Sequence, residues 1–304
     1  MSINTQEAEH EARRTDAQLI LLHSITELAR AQGIAIALHG GLANAVFNRV
    51  RRTTQDIDFL IDEDQADRAT ELIEYAGTAW CNAVAALGHK AIISPASIKQ
   101  AASGLIRAKL DLPLPSGSRQ RVHIEFWPAD APYLRRYRRR ETSAALPHSR
   151  QTIRISTRAP DRGTALAEKL VAISARPYLK IRDVYDFVEL AGGSDIPDSA
   201  IVDMAVEQLA AYSPLEIERV ECRIRDIEAL KNPPSREALI ASLSPFVSLT
   251  DLTRFFVSPR FETDIDYLVE LVHEFSIQAI THSPDPGEIS RRYASAMSFC
   301  GGRF

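Results

Sequence analysis

Asp56 and Asp58 flank a single isoleucine, Ile57, and that spacing could do chemistry. Residues two apart in an extended segment project from one face, so a strand over 56–61 would present both carboxylates side by side. Such a pair suits a hard cation such as magnesium, which keeps some of its waters and takes its other ligands from carboxylates and substrate phosphates. Upstream, Gly40 and Gly41 close an apolar run. If 34–38 is a strand, the glycines permit a tight turn and leave backbone amides open to a phosphate at the start of the next helix. Glu125, between Ile124 and Phe126, is a candidate third carboxylate that would complete a metal shell or take the proton from an attacking hydroxyl. Asp111 is its rival, although Pro113 follows closely and suggests a strand end. Glycine turn, short helix and paired aspartates together read as nucleotidyl transfer.

Each feature also has an ordinary reading. Two glycines can be a plain strand-to-helix turn, and alternating aspartates can lie on the solvated face of an edge strand. Lys169, in the helical stretch 165–171, could present a mobile point charge to a triphosphate. Asp183 and Asp186 are three apart and share a helix face, where surface ion pairs are the commoner explanation. Arg135, Arg136, Arg138, Arg139 and Arg140 alternate with Tyr133 and Tyr137, a run able to grip phosphates and stack on bases.

Other chemistries lack their parts. His39, His89, His123 and His148 show no close metal-binding spacing, no serine sits in a glycine-flanked elbow, and no Walker lysine follows the glycines.

These residues need elements to hold them. Apolar side chains at helical spacing over 16–31 end at Gly33; a strand then runs to His39, a short helix covers 42–50, the aspartate strand covers 56–61, and a helix covers 65–75. Extended segments are expected at 106–112 and 122–127, joined by a turn at Pro113, Pro115, Ser116 and Gly117. Beyond 161 nearly everything reads as helix: 164–174, 181–190, 199–211, 214–228, 236–243, 249–256 and 264–280. The expected fold class is α/β (α+β), with a mixed-sheet domain over 1–160 and a mostly α-helical domain over 161–304.

Composition bounds the rest. With 304 residues, 45% hydrophobic and 25% charged, the chain can bury a sizeable core. A net charge of -4 excludes polyanion binding by bulk charge, so any nucleic-acid contact must be local. Cys81, Cys222 and Cys300 are too few and too scattered for a disulfide framework, and neither a signal peptide nor a membrane span is evident. A cytoplasmic protein is expected.

Four stretches taken in order carry a resemblance. Leu38-His39-Gly40-Gly41-Leu42-Ala43, then Arg52-Thr53-Thr54-Gln55-Asp56-Ile57-Asp58-Phe59, then Ala167-Glu168-Lys169-Leu170 and Arg182-Asp183-Val184-Tyr185-Asp186-Phe187 resemble the motifs of the AbiEii-like nucleotidyltransferase toxins. These are the toxin halves of type IV abortive-infection toxin-antitoxin systems, in the DNA polymerase β-like nucleotidyltransferase superfamily. The resemblance implies a polymerase β-like core in which Asp56 and Asp58 hold magnesium and the Gly40-Gly41 turn cradles a triphosphate. It further implies that Lys169 neutralises phosphate charge and that Asp186 or Asp183 completes the site. Leu42 stands where the superfamily often has a small hydroxyl residue. The activity implied is transfer of a nucleotide to an RNA hydroxyl, the tRNA acceptor end among the targets, with pyrophosphate released and a cognate antitoxin as partner. The alternatives are a small-molecule acceptor of aminoglycoside type, a protein hydroxyl, or a nucleotide-binding module without turnover, against which the intact aspartate pair argues.

Overall fold

A computed structural model describes residues 3–86, 92–93, 98–101, 104–113, 119–192, 195–209 and 217–281. The chain divides into two compact units. The first runs up to Phe47 and resumes over Thr53–Pro160; the second takes the segment Asn48–Arg52 together with the chain from Asp161 onward. The five residues 48–52 therefore leave the unit that their place in the sequence suggests.

The first unit is a sheet with its three longest helices on one face. Among the described residues its strands are β1 (Ile36–His39), β2 (Asp56–Asp62), β3 (Ile92–Ile93), β4 (Lys99–Gln100), β5 (Ile106–Pro113), β6 (Arg119–Ala129), β7 (Arg138–Leu146) and β8 (Gln151–Ala159). They are ordered β3-β5-β6-β2-β1-β8-β7, with β4 also on β5. The sheet is mixed: β2 pairs parallel with β6, β1 parallel with β8, and β1 antiparallel with β2. Period-two alternation sends Ile36, Leu38, Ile57, Phe59, Ile61, Ile124 and Phe126 to one face, where they are buried with residues of α1 (Ile3–Gln32), α2 (Gly40–Phe47) and α3 (Arg68–Ala86). Phe59 and Phe126, opposite one another in the parallel register, stack with ring centroids 5.0 Å apart. Trp80 of α3 is fully buried and donates from Nε1 to the Ala17 carbonyl at 2.8 Å, tying α3 to α1.

Some elements exceed the expectations. The helix at the start begins at Ile3 rather than near 16, because Arg13–Glu9 and Arg14–Glu11 ion pairs at helical spacing support a stretch with little apolar periodicity. The helix expected over 65–75 runs Arg68–Ala86, past Gly77, because buried Trp80 anchors its second half. The β7–β8 hairpin was not anticipated: Arg, Thr and Ser fill most of β7, so its alternation is invisible as hydrophobicity. Residues 114–118 of the expected turn, and His89 and Cys300, lie outside the described residues.

In the second unit the described elements after Pro160 are all helical: α5 (Arg162–Ala175), α6 (Ile181–Ala191), α7 (Asp198–Leu209), α8 (Ile217–Ala229), α9 (Pro233–Leu243), α10 (Leu249–Val257) and α11 (Phe261–Thr281). Leu166, Leu170, Tyr185, Phe187, Leu268 and Phe275 form its core, and Val50 joins them. Asp161 caps α5 by accepting from the Thr164 amide at 2.9 Å. Among the described residues no helix is long and apolar enough to cross a membrane.

Candidate active site

The aspartates sit where the strand register puts them. In β2, Asp56 and Asp58 point away from the buried face, each half-exposed. His123 stands opposite Asp56 and Glu125 opposite Asp58 on the parallel neighbour β6, while His39 of β1 stands opposite Asp58 from the other side. Opposed residues share a face, so one end of the open sheet face gathers His39, Asp56, Asp58, His123 and Glu125. His123 Nδ1 lies 3.2 Å from Asp56 Oδ1, and the Asp56 amide donates to Thr54 Oγ1 at 3.2 Å. Buried Thr54 is fixed in turn by Gln18 of α1, whose amide donates to its carbonyl at 2.8 Å.

Gly40 closes the site. It follows β1 directly, opens α2, and has φ +71, a left-handed conformation that glycine adopts without strain. A Cβ built there would sit 2.5 Å from Asp58 Oδ2, so the absent side chain is the room the carboxylate occupies. The glycine bend and the second aspartate thus touch, as a shared phosphate and metal site requires. Gly41 is buried in the first turn of α2.

Glu125 is brought to Asp58, and Asp111 is not. Asp111 lies on β5, one strand further from β2, opposite Arg121, which donates to it at 3.1 Å. Glu125 is itself held at 3.0 Å by Arg107 across the β5–β6 ladder. Among the described residues no three His, Cys, Asp or Glu side chains form a ready metal cage. The donor set is two carboxylates beside a notch over Gly40, and it fits magnesium, which takes its remaining ligands from water and phosphate.

Lys169, Asp183 and Asp186 form a separate buried cluster within the helical unit. Lys169 Nζ lies 2.7 Å from Asp183 Oδ1 and 2.7 Å from Asp186 Oδ2. Arg52 grips Asp186 as a two-pronged fork, with Nη2 donating to Oδ2 at 2.8 Å, and Arg176 pairs with Asp183. Burial alone would raise the Asp183 carboxyl, but the charges of Lys169 and Arg176 outweigh it and hold it well below the usual carboxylate range. Asp186 is lowered in the same way: burial opposes, and Lys169 and Arg52 prevail. Burial likewise works against the Lys169 ammonium, yet the two aspartates keep its pKa above the ordinary value. Lys169 is therefore no mobile charge, and the aspartates are no surface pair. Arg52 and Arg176 had no role in the sequence reading: the first lies 134 positions from its partner, a contact no local pattern carries.

The arginine run is only partly available. Tyr137 is buried with Leu134, Ala37 and Leu60 in a small cluster under α4 (Ala131–Leu134), so it cannot stack on a base. Arg140 turns inward, donating to the carbonyls of Pro160 at 2.6 Å and Phe47 at 2.8 Å, with its guanidinium 5.3 Å from the centre of the Phe47 ring. Arg135, Arg138 and Arg139 are exposed.

Comparison with known proteins bears on the family and the fold. The profile of the family described as nucleotidyl transferase AbiEii toxin, type IV TA system, matches residues 27–279. Among solved structures, the chain is similar to MenT4, a nucleotidyltransferase toxin from Mycobacterium tuberculosis H37Rv, at 15% identity and TM-score 0.53, covering 97% of this chain and 99% of that one. It is less similar to JHP933 from Helicobacter pylori, at 15% identity and TM-score 0.43 over 93% of this chain and 96% of that one. No curated protein sequence matches the chain. The MenT4 likeness carries the mixed α/β fold and the profile carries the family: the chain belongs to the AbiEii nucleotidyltransferase toxins of type IV toxin-antitoxin systems.

Proposed function

We propose that this nucleotidyltransferase uses magnesium to move a nucleotide from a nucleoside triphosphate onto an RNA hydroxyl, with the tRNA acceptor end as the foremost target. The observation that carries the reading is the contact between Asp58 and the Gly40 bend, with Asp56 beside it on the same strand face. Asp56 and Asp58 hold the metal, which when bound supplies positive charge against the triphosphate. The amides at the start of α2 face phosphate oxygens, and the helix dipole favours that negative charge. Glu125, beside Asp58, takes the proton of the acceptor hydroxyl. The new bond joins that oxygen to the α-phosphorus, and the bond from the α-phosphorus to the bridging oxygen breaks with pyrophosphate leaving. Lys169, Asp183 and Asp186 enter this reading through the family resemblance, and within their own unit they are a buried ion cluster. The cognate antitoxin of such a system is the proposed protein partner, and the cytoplasm, where triphosphates and RNA meet, the proposed compartment.

The test is incubation with each of the four labelled triphosphates and with cellular RNA or protein fractions. Label on RNA supports the proposal; label on protein, or on neither, refutes it. Asp56→Ala and Asp58→Ala should each abolish transfer while leaving the melting temperature near wild type, because both carboxylates are half-exposed and outside the core. One observation favours a second acceptor class, a protein or small-molecule hydroxyl: Tyr137 and Arg140, two members of the expected RNA-gripping run, are spent on the fold. The same labelling separates the two.

A further inference from the structure

The strand that leads into Gly40 begins beside a second charged feature. At the amino-terminal end of β1, where its pairing with β8 is limited to Ala37 opposite Arg158, a cleft of about 290 Å³ opens. Its lining includes Arg30, Arg139, Arg158 and the half-buried Ser156, with Thr26 and Thr157 buried behind them, Thr26 donating its hydroxyl to the His23 carbonyl at 3.0 Å. At about 3.3 Å per residue, Arg158, opposite Ala37, stands roughly 10 Å along β1 from the Gly40 bend, beyond contact with the aspartates.

Two of its arginines lack what arginines normally have. Arg139 and Arg158 are directly opposed on the antiparallel β7–β8 ladder, and like charges in that position repel across the strands. Among the described residues neither makes a side-chain hydrogen bond or a close ion pair, and Arg139 acts on Glu27 and Glu141 only through space. The nearby acids are taken: Glu27 is bound by Arg30 at 2.6 Å and Glu141 by Arg154 at 2.5 Å. The carboxy-terminal end of α1 adds a partial negative charge at Gly33, which subtracts from the field without cancelling two full charges. A pair of exposed guanidiniums held together at a cost to the hairpin, with the Ser156 hydroxyl on the same strand face, is built for an anion with several oxygens.

We propose that this cleft grips a backbone phosphate of the RNA acceptor through Arg139 and Arg158. The inference rests on the RNA reading above for the source of the phosphate. Both arginines are exposed, whereas sites for small ligands enclose most of their ligand, so a polymer passing over the rim suits the geometry better than an enclosed metabolite. It also reassigns the basic run: of its five arginines, Arg139 is the one that acts here, with Arg158 as a partner from the neighbouring strand.

The experiment compares wild type with the double variant Arg139→Gln/Arg158→Gln, using fluorescence anisotropy of a labelled tRNA acceptor-stem RNA over a salt series. The variant should bind RNA roughly 10- to 100-fold more weakly at low salt. The slope of log K against log salt should become shallower by about 2, one for each lost phosphate contact. Its melting temperature should equal or exceed that of wild type, since a repulsion has been removed, and Arg139→Lys/Arg158→Lys should recover most of the slope. RNA affinity and slope equal to wild type in a folded double variant overturn the proposal. If wild type binds no RNA, the acceptor reading fails, and calorimetric titration with inorganic phosphate at low salt decides the cleft alone: heat lost in the double variant supports an anion site, and equal heat overturns it.

Discussion

Replacing Gly40 with alanine tests the proposed active-site geometry with a single methyl group. The added Cβ would meet Asp58 Oδ2 at 2.5 Å, closer than carbon and oxygen tolerate, so the carboxylate must retreat by about half an ångström or more. The backbone at φ +71 adds strain of about 1–2 kcal/mol for any residue with a side chain. In a unit of this size that lowers the melting temperature by roughly 2–8 °C, so the variant should remain folded at room temperature. Misplacement of a catalytic group by about 1 Å can cost on the order of 100-fold in rate, so a shift of half that or more should cost about 10- to 100-fold. The assay is release of pyrophosphate alongside label transfer, with a thermal melt on the same preparation. A variant that melts at the lowered temperature yet turns over like wild type would refute the idea that the Gly40 bend and Asp58 cooperate.

Further expectations concern the helical unit. Lys169→Met strands two buried carboxylates with one cation each, and should destabilise the protein by about 3–5 kcal/mol in urea unfolding; unchanged stability would show that the cluster is not structural. Asp183 and Asp186 have pKa values depressed by folding, so their stabilisation is complete above the unfolded value near 4 and is lost as pH falls towards the folded values. Stability measured between pH 5 and 2 should fall by up to about 1.4 kcal/mol per pH unit for each such group, and a flat profile below pH 4 would contradict this. Glu189 is shifted the opposite way: burial raises its pKa against the pull of Arg51, with Asp251 adding to the rise. Its charged form weighs against the fold as pH rises through the raised folded value, so Glu189→Gln should leave the melting temperature at pH 7 unchanged or higher, and a clear loss would show that the pairing with Arg254 dominates.

Legibility in the sequence followed the range of the forces involved. Helices α5 to α11 were readable because each buries an apolar stripe whose period survives in the sequence. Asp56 and Asp58 were readable because alternation with Ile57 and Phe59 fixes which way they face. The choice of Glu125 over Asp111 needed the register of β6 against β2, a non-local fact. The Arg52 fork on Asp186 likewise joins distant segments, and the arginine run misled because charge along the chain does not say which guanidinium turns inward. Hairpin β7–β8 hid behind polar side chains that keep strand geometry without strand hydrophobicity.

The detour of residues 48–52 into the second unit has a practical corollary for anyone wishing to cut the protein in half. A recombinant piece starting at Asp161 would arrive without Val50, leaving a gap in its apolar interior, and without Arg52, leaving Asp186 with a single counterion. Such a piece should express poorly or melt early for want of five amino acids encoded more than a hundred codons upstream. Supplying 48–52 as a linked peptide is the construction that would let the helices stand by themselves.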